Sequence, residues 1–300
     1  MKSYDLVFAG HVTIDDIEAA EGASSGVPGG APFFGALAAV PSKKKIAVVT
    51  KMAGQDEHIL TLLRTAGVDV FLIEASETTR MRVVHQTENM DERQLYQVKN
   101  AGFFLLEEMP MLEPCRIHLG ALTDQEFTFE FMGQLRPRAS SLSMDMQNIV
   151  RQVDTKTGRI HFRDDPIKKE MIHLVDIVKL DIVEAEILTG KSDLKDAASV
   201  LEDWGSLETM ITCSEGILVR HRNKTCFERY TNRSDHGRTG RGDTTIGSYL
   251  AWRIDHDVPE SLKFAAALTS IKMETPGPFH GSMDDVLARM RSNAPFGTLS

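Results

Sequence analysis

The 300 residues are 42% hydrophobic, enough for one large α/β domain or two small ones with a substantial core. A net charge of −9 argues against broad binding to nucleic acid or anionic membranes, but leaves room for a local cationic site that takes a phosphorylated ligand. The odd, widely spaced cysteines Cys115, Cys213 and Cys226 show no C-x-x-C, which excludes a disulfide framework and a zinc knuckle and points to a reducing cytoplasm. No apolar run approaches the ~20 residues needed to cross a bilayer, and Met1 leads into a strand-like segment with no signal-peptide pattern.

Residues 6–10 form a short apolar run closed by Gly10, the pattern of a buried strand. Asp15 follows closely, where open α/β sheets bind ligands beyond a strand's C-terminal end; a lone Asp there is also a common turn residue. Residues 17–28 are small and polar. Gly29 and Gly30 then precede a predicted helix over 33–40, a plain loop in one reading and a close approach to a ligand in the other. A strand is expected at 46–50, with Asp56 capping a helix over about 57–65 whose inward residues are Ile59, Leu62 and Leu63. A strand returns at 68–73. Between 78 and 104 two alternating segments flank the polar residues 88–92, which predicts an antiparallel hairpin with one wet face.

Core strands are predicted at 116–122 and 143–146 with a helical segment between them. A polar turn follows at 154–158, then a helix over 166–175 and a strand at 177–180. Asp181 and Glu184 lie one helical turn apart, as surface caps or as ligands of one hydrated Mg²⁺. Gly190, Lys191 and Ser192 imitate the end of a P-loop, but the glycine required five residues earlier is Ala185. A strand at 210–212 turns through Cys213, Ser214, Glu215 and Gly216 into another. The alanines at 265–267, in a helix over 259–273, allow either tight packing or room for a flat ring. A rigid loop at 274–281 precedes a last helix over 283–290. No zinc-binding histidine spacing occurs.

The densest signal is Gly237, Arg238, Thr239, Gly240, Arg241, Gly242, Asp243 before an apolar helical face at Ile246, Leu250 and Ile254. Glycines let backbone approach a ligand, and the free amides and dipole of a helix start favour an anion. Arg241 adds a charge suited to phosphate. A carboxylate beside such a cradle suits removal of a proton from an attacking hydroxyl; the other reading of Asp243 is an ordinary N-cap.

Thr239, Gly240, Gly242 and Asp243 resemble the C-terminal D-T-x-G-x-G-D signature of the ribokinase-like (PfkB-type) carbohydrate kinases, with Gly237 in place of its first Asp. Asp15, Gly29 and Gly30, Gly54 and Asp56, and Asp181 and Glu184 resemble its other landmarks in order. The resemblance implies a three-layer α/β/α sandwich with a mainly parallel sheet, one kinase domain over 1–300, and a small β-sheet lid from segments about 12–30 and 77–103. It implies an ATP- and Mg²⁺-dependent kinase acting on a hydroxyl of a sugar or polyol. Asp243 is then the base, and the amides of Gly240, Arg241 and Gly242 form the anion hole. Asp15 with Thr13, Gly29, Gly30 and Phe34 lines the acceptor pocket. Asp181, Glu184, Thr212, Ser214 and Gly216 face the nucleotide, with Glu184 on Mg²⁺ through water. Gly237 lacks the carboxylate that often helps hold a monovalent cation in the family. A nucleoside kinase and a non-catalytic sugar or nucleotide sensor are the competing readings, and a homodimer through the lid is expected by analogy.

Overall fold

A computed structural model describes residues 2–19, 22–85 and 93–292. In chain order its strands are β1 (Leu6–Ala9), β2 (Thr13–Ala19), β3 (Gly22–Gly29), β4 (Ile46–Met52), β5 (Asp69–Glu74), β6 (Arg80–His85), β7 (Arg93–Lys99), β8 (Cys115–Leu119), β9 (Ala139–Asp145), β10 (Arg151–Val153), β11 (Ile160–Phe162), β12 (Ile177–Asp181), β13 (Glu208–Thr212), β14 (Gly216–His221) and β15 (Lys224–Arg229). The helices are α1 (Ala31–Ala39), α2 (Thr61–Thr65), α3 (Phe129–Leu135), α4 (Gln147–Val150), α5 (Lys168–His173), α6 (Ile182–Thr189), α7 (Leu194–Asp203), α8 (Arg241–Trp252), α9 (Val258–Met273) and α10 (Met283–Ser292).

Nine strands form the main sheet in the order β15-β14-β13-β12-β9-β8-β1-β4-β5. All neighbours from β13 to β5 run parallel; β14 and β15 add an antiparallel edge. Parallel strands covered on both faces read as unbroken apolar runs. In β1, Leu6 and Phe8 pack with Phe33, Leu37, Ile246 and Leu262 on one face. Val7 and Ala9 pack with Phe131, Ile172, Leu188 and Leu201 on the other. Helices α1, α2, α8 and α9 therefore cover one face and α3, α5, α6 and α7 the opposite one, and α10 lies on α9 through Phe264, Leu268 and Val286. This is the three-layer sandwich expected.

A four-stranded sheet, β3-β2-β6-β7, stands apart from the main one. It is mixed rather than purely antiparallel, because β2 and β6 run parallel. Its β6–β7 part is the predicted hairpin, whose turn at 88–92 lies outside the described residues. Strand β3 was not legible: its exposed Gly-Ala-Ser-Ser stretch has no apolar alternation, and it is held by backbone pairing to β2. The inner face of this sheet sets Met81 and Leu95 against Ile160 of the β10–β11 hairpin. That hairpin encloses the predicted turn at 154–158.

The helix expected over 57–65 is a 3₁₀ segment, Gly54–Leu60, followed by the single turn of α2. Leu60 and Leu63 are buried, while Leu62 points outward and is 46% exposed, which corrects its inward assignment. The break from α to 3₁₀ geometry shifts the inward face by one position. No helix among the described residues is long and apolar enough to cross a membrane.

Candidate active site

The C-terminal ends of β1, β9, β12 and β13 bring residues 10–15, 145, 181 and 212 to one edge of the sheet. Two helix N-termini meet the same edge. Helices α1 and α8 cross with almost no separation at Gly35 and Gly247, where a Cβ on Gly247 would sit 2.2 Å from the Gly35 carbonyl oxygen. A Cβ at Gly35 would be 3.4 Å from the carbonyl oxygen of Asp243, so the first turn of α8 is pressed against α1. The predicted acceptor loop and anion loop are thereby neighbours.

On the acceptor side, Thr13 Oγ1 donates to Asp15 Oδ1 at 2.6 Å. Gly29 pairs with Thr13 across β2–β3, and any Cβ there would lie 2.1 Å from Asp15 Oδ2. Gly30 caps α1 at φ 95°, and a side chain would strike the His11 carbonyl at 2.2 Å. Both glycines are thus required by close approach. Burial pushes the Asp15 carboxyl up to about 6, the Thr13 bond works against this, and the charges of Asp243 and Asp16 raise it further. Asp15 and Asp243 are therefore within electrostatic reach of each other.

Phe34 does not form an open acceptor edge. It is 4% exposed, stands edge-on to Phe33, and its ring lies beneath the anion loop, 2.5–2.7 Å from where a Gly240 Cβ would be.

Gly240 takes a left-handed φ of 77° and is the N-cap of α8 without a side-chain cap. Asp243 therefore does not cap its own helix. Its carboxylate makes no hydrogen bond or ion pair with any described residue. The amides of Gly240, Gly242 and Asp243 donate to no other described group, whereas the Arg241 amide donates to the Arg238 carbonyl at 3.1 Å. Of the expected amide trio of 240, 241 and 242, that of 241 is taken up by the turn into the helix, and the amide of 243 is open beside those of 240 and 242 among the described residues. The Arg241 guanidinium lies 6.0 Å from the Tyr230 ring centre.

A cation missed by sequence reasoning stands beside these amides. Lys179 Nζ is 2.8 Å from the position of a Gly242 Cβ and donates to Asp145 Oδ2 at 2.7 Å. Burial alone would lower the lysine's pKa, but Asp145, Glu184 and Asp243 hold it above the ordinary range, so it stays charged. A charged residue inside the apolar strand Ile-Val-Lys-Leu was the available signal.

The Asp181–Glu184 pair proves to be a capping box for α6. Asp181 Oδ1 accepts from the Glu184 amide at 2.9 Å, and Glu184 Oε2 accepts from the Asp181 amide at 2.8 Å. The other oxygen, Glu184 Oε1, accepts two bonds from Arg151 at 2.8 and 3.1 Å, and the glutamate is fully buried. With three bonds from protein donors and no exposure, Glu184 acts as the buried partner of Arg151 and the cap of α6 rather than as an open carboxylate. Among the described residues no cluster of three or more His, Cys, Asp or Glu side chains could hold a metal.

On the nucleotide side, the Thr212 hydroxyl is buried and directed at the Leu180 carbonyl at 3.4 Å. The 213–216 segment closes as a turn, with the Cys213 amide on the Gly216 carbonyl at 3.0 Å, and Gly216 is needed because a Cβ would lie 2.2 Å from the Glu228 carbonyl oxygen. Of Thr212, Ser214 and Gly216, only Ser214 is exposed. The alanines at 265–267 are fully buried and fill the core. Asp56 lies inside the 3₁₀ segment, whose N-cap is Ala53 without a side-chain bond, so the expected helix cap is corrected: its carboxylate instead accepts from Thr78 Oγ1 at 2.5 Å and ties the segment to the residues before β6.

The chain is 26% identical to the cytidine kinase of Thermococcus kodakarensis (strain ATCC BAA-918 / JCM 12380 / KOD1), covering 82% of this chain and 87% of that protein. Among solved structures it resembles a sulfate complex of a pyrophosphate-dependent kinase in the ribokinase family, with TM-score 0.87, 28% identity, and coverage of 94% and 99% of the two chains. At 17% identity and TM-score 0.75, fructokinase from Vibrio cholerae O395 shares the fold, over 96% of this chain and 99% of its own. Residues 6–284 match the pfkB family carbohydrate kinase. The chain belongs to that family of phosphotransferases, which act on an alcohol group as acceptor.

Proposed function

We propose that this kinase transfers the terminal phosphoryl group of a polyphosphate donor, ATP or pyrophosphate, to a hydroxyl of a polyol or sugar. One observation carries the reading: among the described residues, Asp243 presents an unpartnered carboxylate at a helix start whose neighbouring amides are also unpartnered. Thr13 and Asp15 hold the acceptor's hydroxyls. Asp243 accepts the proton of the attacking hydroxyl as its oxygen bonds to phosphorus and the bond to the donor's bridging oxygen breaks. The amides of Gly240, Gly242 and Asp243, with Lys179 and Arg241, stabilise charge on the moving group. No step is assigned to a metal ion. The β3-β2-β6-β7 sheet is the lid that excludes water as a competing acceptor, and the exposed edge of β3 offers a pairing surface to a second copy.

ATP follows from the family resemblance. Pyrophosphate is favoured by a separate observation. Two similar structures, at 28% and 27% identity, are pyrophosphate-dependent kinases, one of them complexed with a pyrophosphate analog and myo-inositol. In this chain Thr212 and Gly216 are closed into the sheet, while Lys179 and Arg241 serve phosphate in either donor. A nucleoside acceptor is supported by the cytidine kinase relative. The test crosses both donors with inositols, hexoses, pentoses and nucleosides, and detects the phosphate ester by mass. Transfer to a polyol or sugar supports the reading, transfer confined to nucleosides replaces the acceptor class, and ligand binding without any ester formed contradicts catalysis.

A further inference from the structure

Lys272, in the last turn of α9, is 1% exposed. A lysine this buried is ordinarily paired with a carboxylate. Among the described residues this one has no such partner: its Nζ donates to the main-chain carbonyls of Gly237 and Thr239, and its remaining side faces the Phe34 ring, 5.1 Å to the centroid. Two carbonyl oxygens and an aromatic face form the kind of shell that replaces water around a desolvated cation.

The consequence for the anion loop follows from peptide geometry. In a planar trans peptide the N–H points opposite to the C=O. Drawing the Thr239 carbonyl down onto Lys272 therefore turns the Gly240 amide to the opposite face, and that amide has no partner among the described residues. The two carbonyls would otherwise repel each other in a tight loop. Position 237 cannot supply a counter-charge for any other cation, since a Cβ there would lie 1.9 Å from the Thr275 carbonyl oxygen. Burial lowers the lysine's pKa and the Asp243 charge partly opposes this, leaving it at about 8, so the group is mainly charged at neutral pH.

We propose that Lys272 is a positioning residue, a cation built into the chain that holds residues 237–240 in the shape that aims the Gly240 amide, so that the kinase needs no dissolved monovalent cation there. This rests on the kinase reading given above. It adds that the emptied site accepts a free ion of the size of an ammonium group.

The experiment compares wild type, Lys272→Ala and Lys272→Met in potassium, ammonium or tetramethylammonium chloride at equal ionic strength. Wild-type kcat does not depend on which cation is present. Lys272→Ala loses about a hundredfold in kcat, the scale of one lost oxyanion donor, and potassium or ammonium restores most of it while the bulky tetramethylammonium does not. Lys272→Met, whose side chain fills the space without charge, loses as much and is not restored. A second readout does not depend on turnover: potassium raises the melting temperature of Lys272→Ala above its value in tetramethylammonium, by binding only the folded state, and leaves wild type unchanged. Potassium activation of wild type, full kcat in Lys272→Met, or no selective effect of potassium on the melting of Lys272→Ala would each overturn the proposal. Absence of phosphoryl transfer by wild type, with potassium still stabilising Lys272→Ala, would instead count against the kinase reading alone.

Discussion

Replacing Gly240 by alanine tests how tightly the anion loop is specified. Two costs can be read from the geometry. The residue sits at φ 77°, in the left-handed region, where a Cβ costs about 1–2 kcal/mol. The new methyl would also fall 2.5–2.7 Å from three carbons of the Phe34 ring, far inside contact distance. That ring has little room to retreat, being 4% exposed, edge-on to Phe33 and under the Lys272 ammonium. Overpacking of this kind costs about 1–3 kcal/mol more, so the expected destabilisation is about 2–5 kcal/mol in urea unfolding. The loop yields more readily than the core, and a displacement of about 1 Å at a reacting centre lowers kcat roughly a hundredfold. Phe34→Ala in the same background removes the three overlapping carbons but not the backbone strain. The double variant should therefore recover much of the rate while staying about 1–2 kcal/mol less stable than Phe34→Ala alone. Wild-type kcat in Gly240→Ala, or strictly additive effects of the two substitutions, would refute the claim that this ring supports the loop.

Three other outcomes are expected. The Asp15 carboxyl, raised to about 6 chiefly by burial, must be ionised to accept a hydroxyl proton, so the KM for the acceptor rises as pH falls through about 6, and Asp15→Asn removes that titration. Because its folded pKa lies above the ordinary 3.8, its contribution to stability is present below about 4 and is lost as pH rises through about 6, a slope that urea unfolding of wild type against Asp15→Asn isolates. Arg151→Met strands the fully buried Glu184 without its ion-pair partner and costs about 3–5 kcal/mol, and adding Glu184→Gln recovers part of it; a loss below about 1 kcal/mol would show that the pair is not buried as described.

Much of this was legible in the sequence because parallel strands buried on both faces appear as apolar runs, as at Ile46 to Val49 and Ile177 to Val178. The glycines of the site were legible for a related reason: Gly29, Gly30 and Gly240 stand where a side chain would strike Asp15, His11 or Phe34. What stayed hidden depends on contacts distant in sequence. Glu184 looked like half of a surface acidic pair until Arg151, 33 residues away, closed over it. Lys272 carries no motif that singles it out at the end of an alanine-rich helix, and only the fold places it under residues 237 and 239. Strand β3 was hidden because its residues are exposed and its stability comes from backbone pairing, which leaves no apolar period to read.

The role of Asp243 is tested most directly by single-turnover phosphoryl transfer in Asp243→Asn, which keeps the size of the side chain and removes its basicity. The expected result is a rate lower by about 10²–10⁴-fold at saturating donor and acceptor, with both still bound and the melting temperature little changed. A rate within a few-fold of wild type would contradict the account.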